Sequence, residues 1–182
     1  MATYTQSASN ATYTPTGTVD RQNQGIYITG TSAPVGEYLT MATLYINVQS
    51  TTNTEEFSCL HQSSSHSTKA TSSNTYTFTS TGEKVLEFTF NGSSAIAEND
   101  YILVRNCNTS TNPRNWYWYI EDGGSSSPPF TNMIWSQQQT GTCTAPSQDN
   151  KSSKNAKFIV ETSSSPPPSS SGVLNPPQVA YI

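Results

Sequence analysis

The sequence predicts an all-β protein: an antiparallel β-sandwich of about eight strands with an extended Pro/Ser-rich C-terminal arm. Three observations carry this reading. Short segments alternate apolar and polar residues with a period of two, the pattern of a strand with one buried face. No stretch of eleven or more residues spaces apolar positions at i, i+3, i+4 and i+7, so no amphipathic helix is expected. The connections carry turn chemistry, as in Thr81-Gly82, Asn91-Gly92 and Asp122-Gly123-Gly124.

The elements follow in chain order. Gly25 to Thr31 (GIYITGT) is a β-branched run. Tyr38 to Gln49 alternates Tyr38, Ala42, Leu44, Ile46 and Val48 with mostly polar neighbours, and Glu56 to Leu60 follows as its expected hairpin partner. Asn74 to Thr81 sets Tyr76 and Phe78 among threonines. Lys84 to Asn91 gives the clearest alternation, with Leu86, Phe88 and Phe90 on one side and Val85, Glu87 and Thr89 on the other. Asp100 to Asn106 (DYILVRN) is apolar on both faces, as a central strand should be. Asn115 to Glu121 (NWYWYIE) is aromatic on both faces, Met133 to Trp135 is short, and Lys154 to Glu161 turns Ala156, Phe158 and Val160 inward. Regularly spaced short strands of this kind build sandwiches. The expected division is an extended segment at 1–24, the sandwich at 25–162, and the arm at 163–182.

Composition narrows the function. Of 182 residues, 28 are Ser, 27 Thr, 15 Asn and 10 Gln, and only 11% are charged. Eight Lys and Arg against twelve acids, net −4, exclude the clustered basic surface of a nucleic-acid binder. No apolar run approaches the ~18 residues of a membrane span, so neither nucleic acid nor membrane is an expected partner. The N-terminus shows no basic and apolar signal segment. A hydroxyl-rich surface without a leader fits a virion protein, made in the host cytoplasm and working outside it; an extracellular protein is the alternative.

Catalytic signatures are missing. There is no G-x-S-x-G elbow, and His61 and His66 fall in a Ser-rich segment (HQSSSHS) that reads as a solvated loop. Glu98, Asp100, Glu121 and Asp122 flank strands as exposed acids, without the D-x-D-x-D-G spacing of a calcium loop. No metal, cofactor or catalytic residue is therefore expected. Cys107 and Cys143 bracket the aromatic segment and are candidates for a disulfide, with buried free thiols as the alternative; Cys59 leaves the count odd.

Two features point to binding. In Trp116-Tyr117-Trp118-Tyr119, alternation sends Trp116, Trp118 and Ile120 to one face and Tyr117 and Tyr119 to the other. One face packs in the core. The other is core, a subunit interface, or a platform for sugar rings, with Tyr117, Tyr119 and Trp135 as the carbohydrate-binding candidates. The arm SSSPPPSSS is polyproline-like and ends in an apolar tip. Val173, Leu174, Val179, Tyr181 and Ile182 are its candidate partner-binding residues, filling a groove or sheet edge on a neighbouring subunit.

The order LEFTF (86–90), AEND (97–100), YILV (101–104), WYWY (116–119) and AKFIV (156–160) resembles jelly-roll sandwich modules of phage virion proteins and bacterial extracellular proteins. The resemblance implies a jelly-roll-like sandwich without catalytic residues, which decorates capsids or fibres or binds carbohydrate. The expected function is thus a non-enzymatic virion-surface subunit, a capsid decoration or head fibre. It would self-assemble as a homo-oligomer such as a trimer and dock on other virion proteins through its arm. The alternative is a carbohydrate-binding or adhesive module that takes a polysaccharide.

Overall fold

The computed structural model describes residues 1–6, 11–13, 23–28, 34–49, 56–91, 94–106, 116–122, 133–137, 147–151 and 154–166. Among them are thirteen strands and no helix: β1 (Ala2–Gln6), β2 (Ala11–Tyr13), β3 (Asn23–Tyr27), β4 (Tyr38–Val48), β5 (Phe57–Gln62), β6 (Thr68–Thr71), β7 (Gly82–Thr89), β8 (Tyr101–Asn106), β9 (Trp116–Asp122), β10 (Met133–Gln137), β11 (Ser147–Lys151), β12 (Lys154–Ala156) and β13 (Phe158–Ser163). All pair antiparallel in two sheets. The expected antiparallel sandwich is the observed fold.

Eight strands form its frame. One sheet contains β1-β13-β4-β7 and the other β3-β8-β5-β6. Numbered consecutively among themselves, these eight run 1-8-3-6 and 2-7-4-5, the order of a jelly roll. Everything from β9 to β12 is inserted between the seventh and eighth frame strands. The insertion adds β9 and β12 to the first sheet and β10 and β11 to the edge of β3 in the second. The segment 1–24, read as an extension, contributes β1, paired with β13, and β2, paired with β9.

The core fills the space between the sheets. Ala42, Leu44, Ile46, Val48, Leu86, Phe88, Trp118, Ile120, Phe158 and Val160 face inward from the first sheet. Ile26, Phe57, Cys59, Ile102 and Val104 meet them from the second. Leu86, Phe88 and Phe90 are buried while Val85, Glu87 and Thr89 are exposed, as the alternation required. β8 lies between β3 and β5, and Ile102, Leu103 and Val104 are all buried. With so few aliphatic residues, large rings do much of the filling; Trp118 and Phe88 are wholly buried, and each such ring removes about 150–250 Å² from water.

Three expectations are corrected. Tyr38 is half-buried and Leu39 takes the core position instead. The cause is a bulge: Glu161 opposes Met41 but Thr162 opposes Leu39, so Thr40 is an extra residue that flips the alternation. Second, β4 and β5 are not a hairpin. β5 crosses to the other sheet and pairs with β6 and β8, because a jelly roll passes successive strands between its layers. Third, residues 74–81 form no strand. Tyr76 makes a single bridge to Phe57, while its ring packs edge-on against Phe88 at 5.2 Å.

That segment closes the edge of β7 with side chains. Asn74 Nδ2 and Tyr76 Oη donate to the Glu87 carbonyl at 2.8 Å each. Glu87 N–H donates back to Tyr76 Oη (3.1 Å) and Thr89 N–H to Asn74 Oδ1 (2.9 Å). Ser73 N–H reaches the Thr89 carbonyl at 2.8 Å. Edge groups that would otherwise recruit another strand are thereby satisfied.

The β3–β8 pair depends on Gly25. A Cβ there would lie 1.9 Å from the Ile102 carbonyl oxygen and 2.7 Å from Leu103 Cα. Both are backbone atoms and cannot move aside by a rotamer change. Gly25→Ala is therefore expected to lower stability by about 2 kcal/mol or more, seen as a lower urea midpoint; an unchanged midpoint would show that the two strands separate at no cost.

Candidate binding site

The outer face of the first sheet holds a cleft of about 240 Å³ lined by Tyr45, Glu83, Lys84, Val85, Tyr119 and Lys157. Strand pairing explains its position. Along one edge, β4 pairs with β13 up to Leu44 and with β9 from Ile46. β9 pairs with β4 up to Trp118 and with β12 from Ile120. The last run of chain pairs with β9 up to Ala156 and with β4 from Phe158. Each strand thus has one residue at which its partner changes: Tyr45, Tyr119 and Lys157. Three strands meeting at one point cannot interlock fully, and the cleft is the remaining gap. A hydrogen bond from Lys157 N–H to the Tyr119 carbonyl (2.8 Å) holds the junction, and Trp118 Nε1 lies 3.4 Å from the Lys157 carbonyl beneath it.

The cleft is polar and aromatic. Tyr119 Oη donates to Glu83 Oε1 at 2.7 Å and accepts from Asn47 Nδ2 at 3.2 Å. The Glu83 carboxylate, by holding that proton, raises the Tyr119 phenol above its ordinary range, and burial adds to the effect. Lys157 Nζ sits 4.5 Å above the Tyr45 ring centre, a cation–π contact. Lys84 donates to Ser80 Oγ at 2.8 Å.

The sequence candidates separate. Tyr119 lines the cleft. Tyr117 lies opposite Asn47, one step along the same face, while Trp118 and Ile120 are buried on the core side. Trp135 belongs to β10 in the second sheet, opposite Gln24 and Asp149, so pairing does not bring it to the two tyrosines. Val173, Leu174, Val179, Tyr181 and Ile182 lie outside the described residues, as do Cys107 and Cys143. Cys59 is a free, buried thiol whose ionisation burial pushes up. The sequence alone does not single out Tyr45 or Lys157.

A second polar cluster corrects the reading of His61 as part of a solvated loop and of Asp100 as an exposed acid. Both are buried. His61 lies on β5 and its Nε2 is 2.7 Å from Asp100 Oδ2. The same oxygen accepts from Lys69 Nζ (2.7 Å) and Ala97 N–H (2.8 Å), and Lys69 also donates to the Ala95 carbonyl (2.6 Å). A carboxylate only accepts, so neutral His61 carries its proton on Nε2. His61 Nδ1 is buried without a partner among the described residues. His66 is likewise half-buried, stacked on Tyr101 at 5.5 Å, with a left-handed backbone (φ 66°). The sequence concealed the pair because Asp100 lies 39 residues from His61 and only the β5–β8 pairing unites them. Among the described residues no group of three His, Cys, Asp or Glu is placed to hold a metal.

The cluster sets a pH response. Burial lowers the His61 pKa from its ordinary 6.5; Asp100 opposes this and Lys69 adds to it. A lowered folded-state pKa means that the unfolded chain takes up the proton first. Stability is then complete above the unfolded value of about 6.5 and falls as the pH drops below it. The urea midpoint should decrease from pH 7.5 to pH 5, with a shallower slope in His61→Gln; equal slopes would show that His61 does not contribute. Comparison of the chain with protein-family models, curated sequences and solved structures finds no match, so the fold and this geometry alone carry the functional reading.

Proposed function

We propose that the chain is a non-enzymatic structural subunit of a virion surface, a capsid decoration or head-fibre protein. In this reading it assembles with its own copies, a trimer among the candidate states, and docks on other virion proteins through the arm at 163–182. The observation that carries the proposal is the 1-8-3-6 and 2-7-4-5 strand order, the architecture of many viral capsid and lectin domains. This is an argument by fold analogy. The hydroxyl-rich, sparsely charged composition supports it. The test is removal of the arm after Pro166, which leaves β13 complete. Light scattering should show an assembly for the full chain and a smaller species for the truncated one; identical masses would reject the role of the arm.

The geometry favours one alternative, a carbohydrate-binding module. Its support is the cleft, which Tyr45 and Tyr119 line with aromatic side chains and where the Glu83 carboxylate can bond hydroxyls. Here Tyr119→Ala should abolish retention on an immobilised polysaccharide while leaving the melting temperature nearly unchanged. Retention equal to that of the unaltered chain would reject the cleft as the site.

A further inference from the structure

We propose that the cleft at the three-strand junction takes a carboxylated sugar, a hexuronate unit, with its carboxylate on Lys157. This deepens the carbohydrate-binding reading and rests on it. Size sets the first limit. A volume of about 240 Å³ lies below the ~300–1,000 Å³ of drug-sized pockets, so it accommodates a single ring.

The charges choose among single rings. Lys69 is committed to Asp100 and Ala95, while Lys84, also in the cleft, gives one of its three donors to Ser80 on the exposed surface. Lys157 is half-buried and forms no ion pair with any described residue. Its ammonium has the Tyr45 ring on one side, which leaves hydrogen-bond donors directed away from the ring. A neutral sugar offers those donors only uncharged oxygens, whereas a carboxylate adds the stronger, charge-assisted hydrogen bond. Glu83 fixes the orientation. One of its oxygens already accepts from Tyr119, so the carboxylate attracts sugar hydroxyls and repels a second anion. The ligand's acid group is thereby directed to Lys157 and its hydroxyls to Glu83. A phosphate fits less well: the two lysines of the cleft, Lys84 and Lys157, stand with the Glu83 carboxylate, and neither offers the forked donors that phosphate sites use. The net charge of −4 opposes polyanions at a distance, but at physiological salt that repulsion is screened beyond about 8 Å.

The test is calorimetric titration of the full chain with glucuronate, its methyl ester and glucose, repeated for Lys157→Ala and Lys157→Arg. Circular dichroism confirms that each variant folds. Glucuronate should bind at least about tenfold more tightly than glucose or the ester. Lys157→Ala should remove that preference and Lys157→Arg should retain most of it. Equal binding of all three sugars, unaffected by Lys157→Ala, would overturn the carboxylate assignment and leave the saccharide site standing. A glucuronate preference that survives Lys157→Ala would also overturn it. Binding of none of the three would overturn both.

Discussion

The architecture depends on β4. Its eleven residues, Tyr38 to Val48, run longer than any other strand described, and they must be paired on both edges. β7 satisfies one edge from Met41 to Val48. No single strand covers the other, so β13 and β9 divide it at Tyr45. The inward residues of β4 are among the most buried in the protein, and Leu39, Ala42, Leu44, Ile46 and Val48 reach partners in both sheets through the shared core. If β4 ended at Tyr45, β9 would lose its pairing with β4 and the junction that forms the cleft would vanish. The same element therefore organises the core on one face and the binding geometry on the other.

The two ends of β4 are finished differently. Near Tyr38 the chain is locked by polar contacts: Tyr4 Oη donates to Glu37 Oε1 at 3.0 Å and Thr162 Oγ1 donates to Glu37 Oε2. One carboxylate thus links β1, β13 and the turn before β4, and burial, with Glu37 adding to it, raises the Tyr4 phenol above its ordinary range. Near Val48 the neighbour is the aromatic strand β9, and the outer surface is built from Asn47, Tyr119 and Glu83. At both ends hydroxyl groups, where more highly charged proteins use cations, pair with a glutamate carboxylate.

Strand identity was readable where alternation was uninterrupted. β7 and β9 are visible from Leu86, Phe88, Trp118 and Ile120, and β8 from its continuous apolar run, because period two reports burial directly. The reading failed where a longer-range rule intervened. The Thr40 bulge moved the inward position at the start of β4 from Tyr38 to Leu39 with no local signal, since Thr is ordinary in a strand. Nearness in sequence suggested a β4–β5 hairpin, but layer crossing decided the pairing. The site was legible in part. Tyr119 followed from alternation, whereas Tyr45 and Glu83 come from β4 and β7, Lys157 lies between β12 and β13, and they meet only through register. A lysine one residue before a buried phenylalanine was the available signal, and many surface strands show it.

The zipper along β7 has a consequence for how copies of the chain can meet. Asn74, Tyr76 and Ser73 occupy the Glu87 and Thr89 backbone groups that an incoming strand would need. Runaway end-to-end stacking of sheets into fibrils would have to peel this segment away first, breaking several short hydrogen bonds and withdrawing the Tyr76 ring from Phe88. On that side the sheet therefore remains closed to uncontrolled polymerisation.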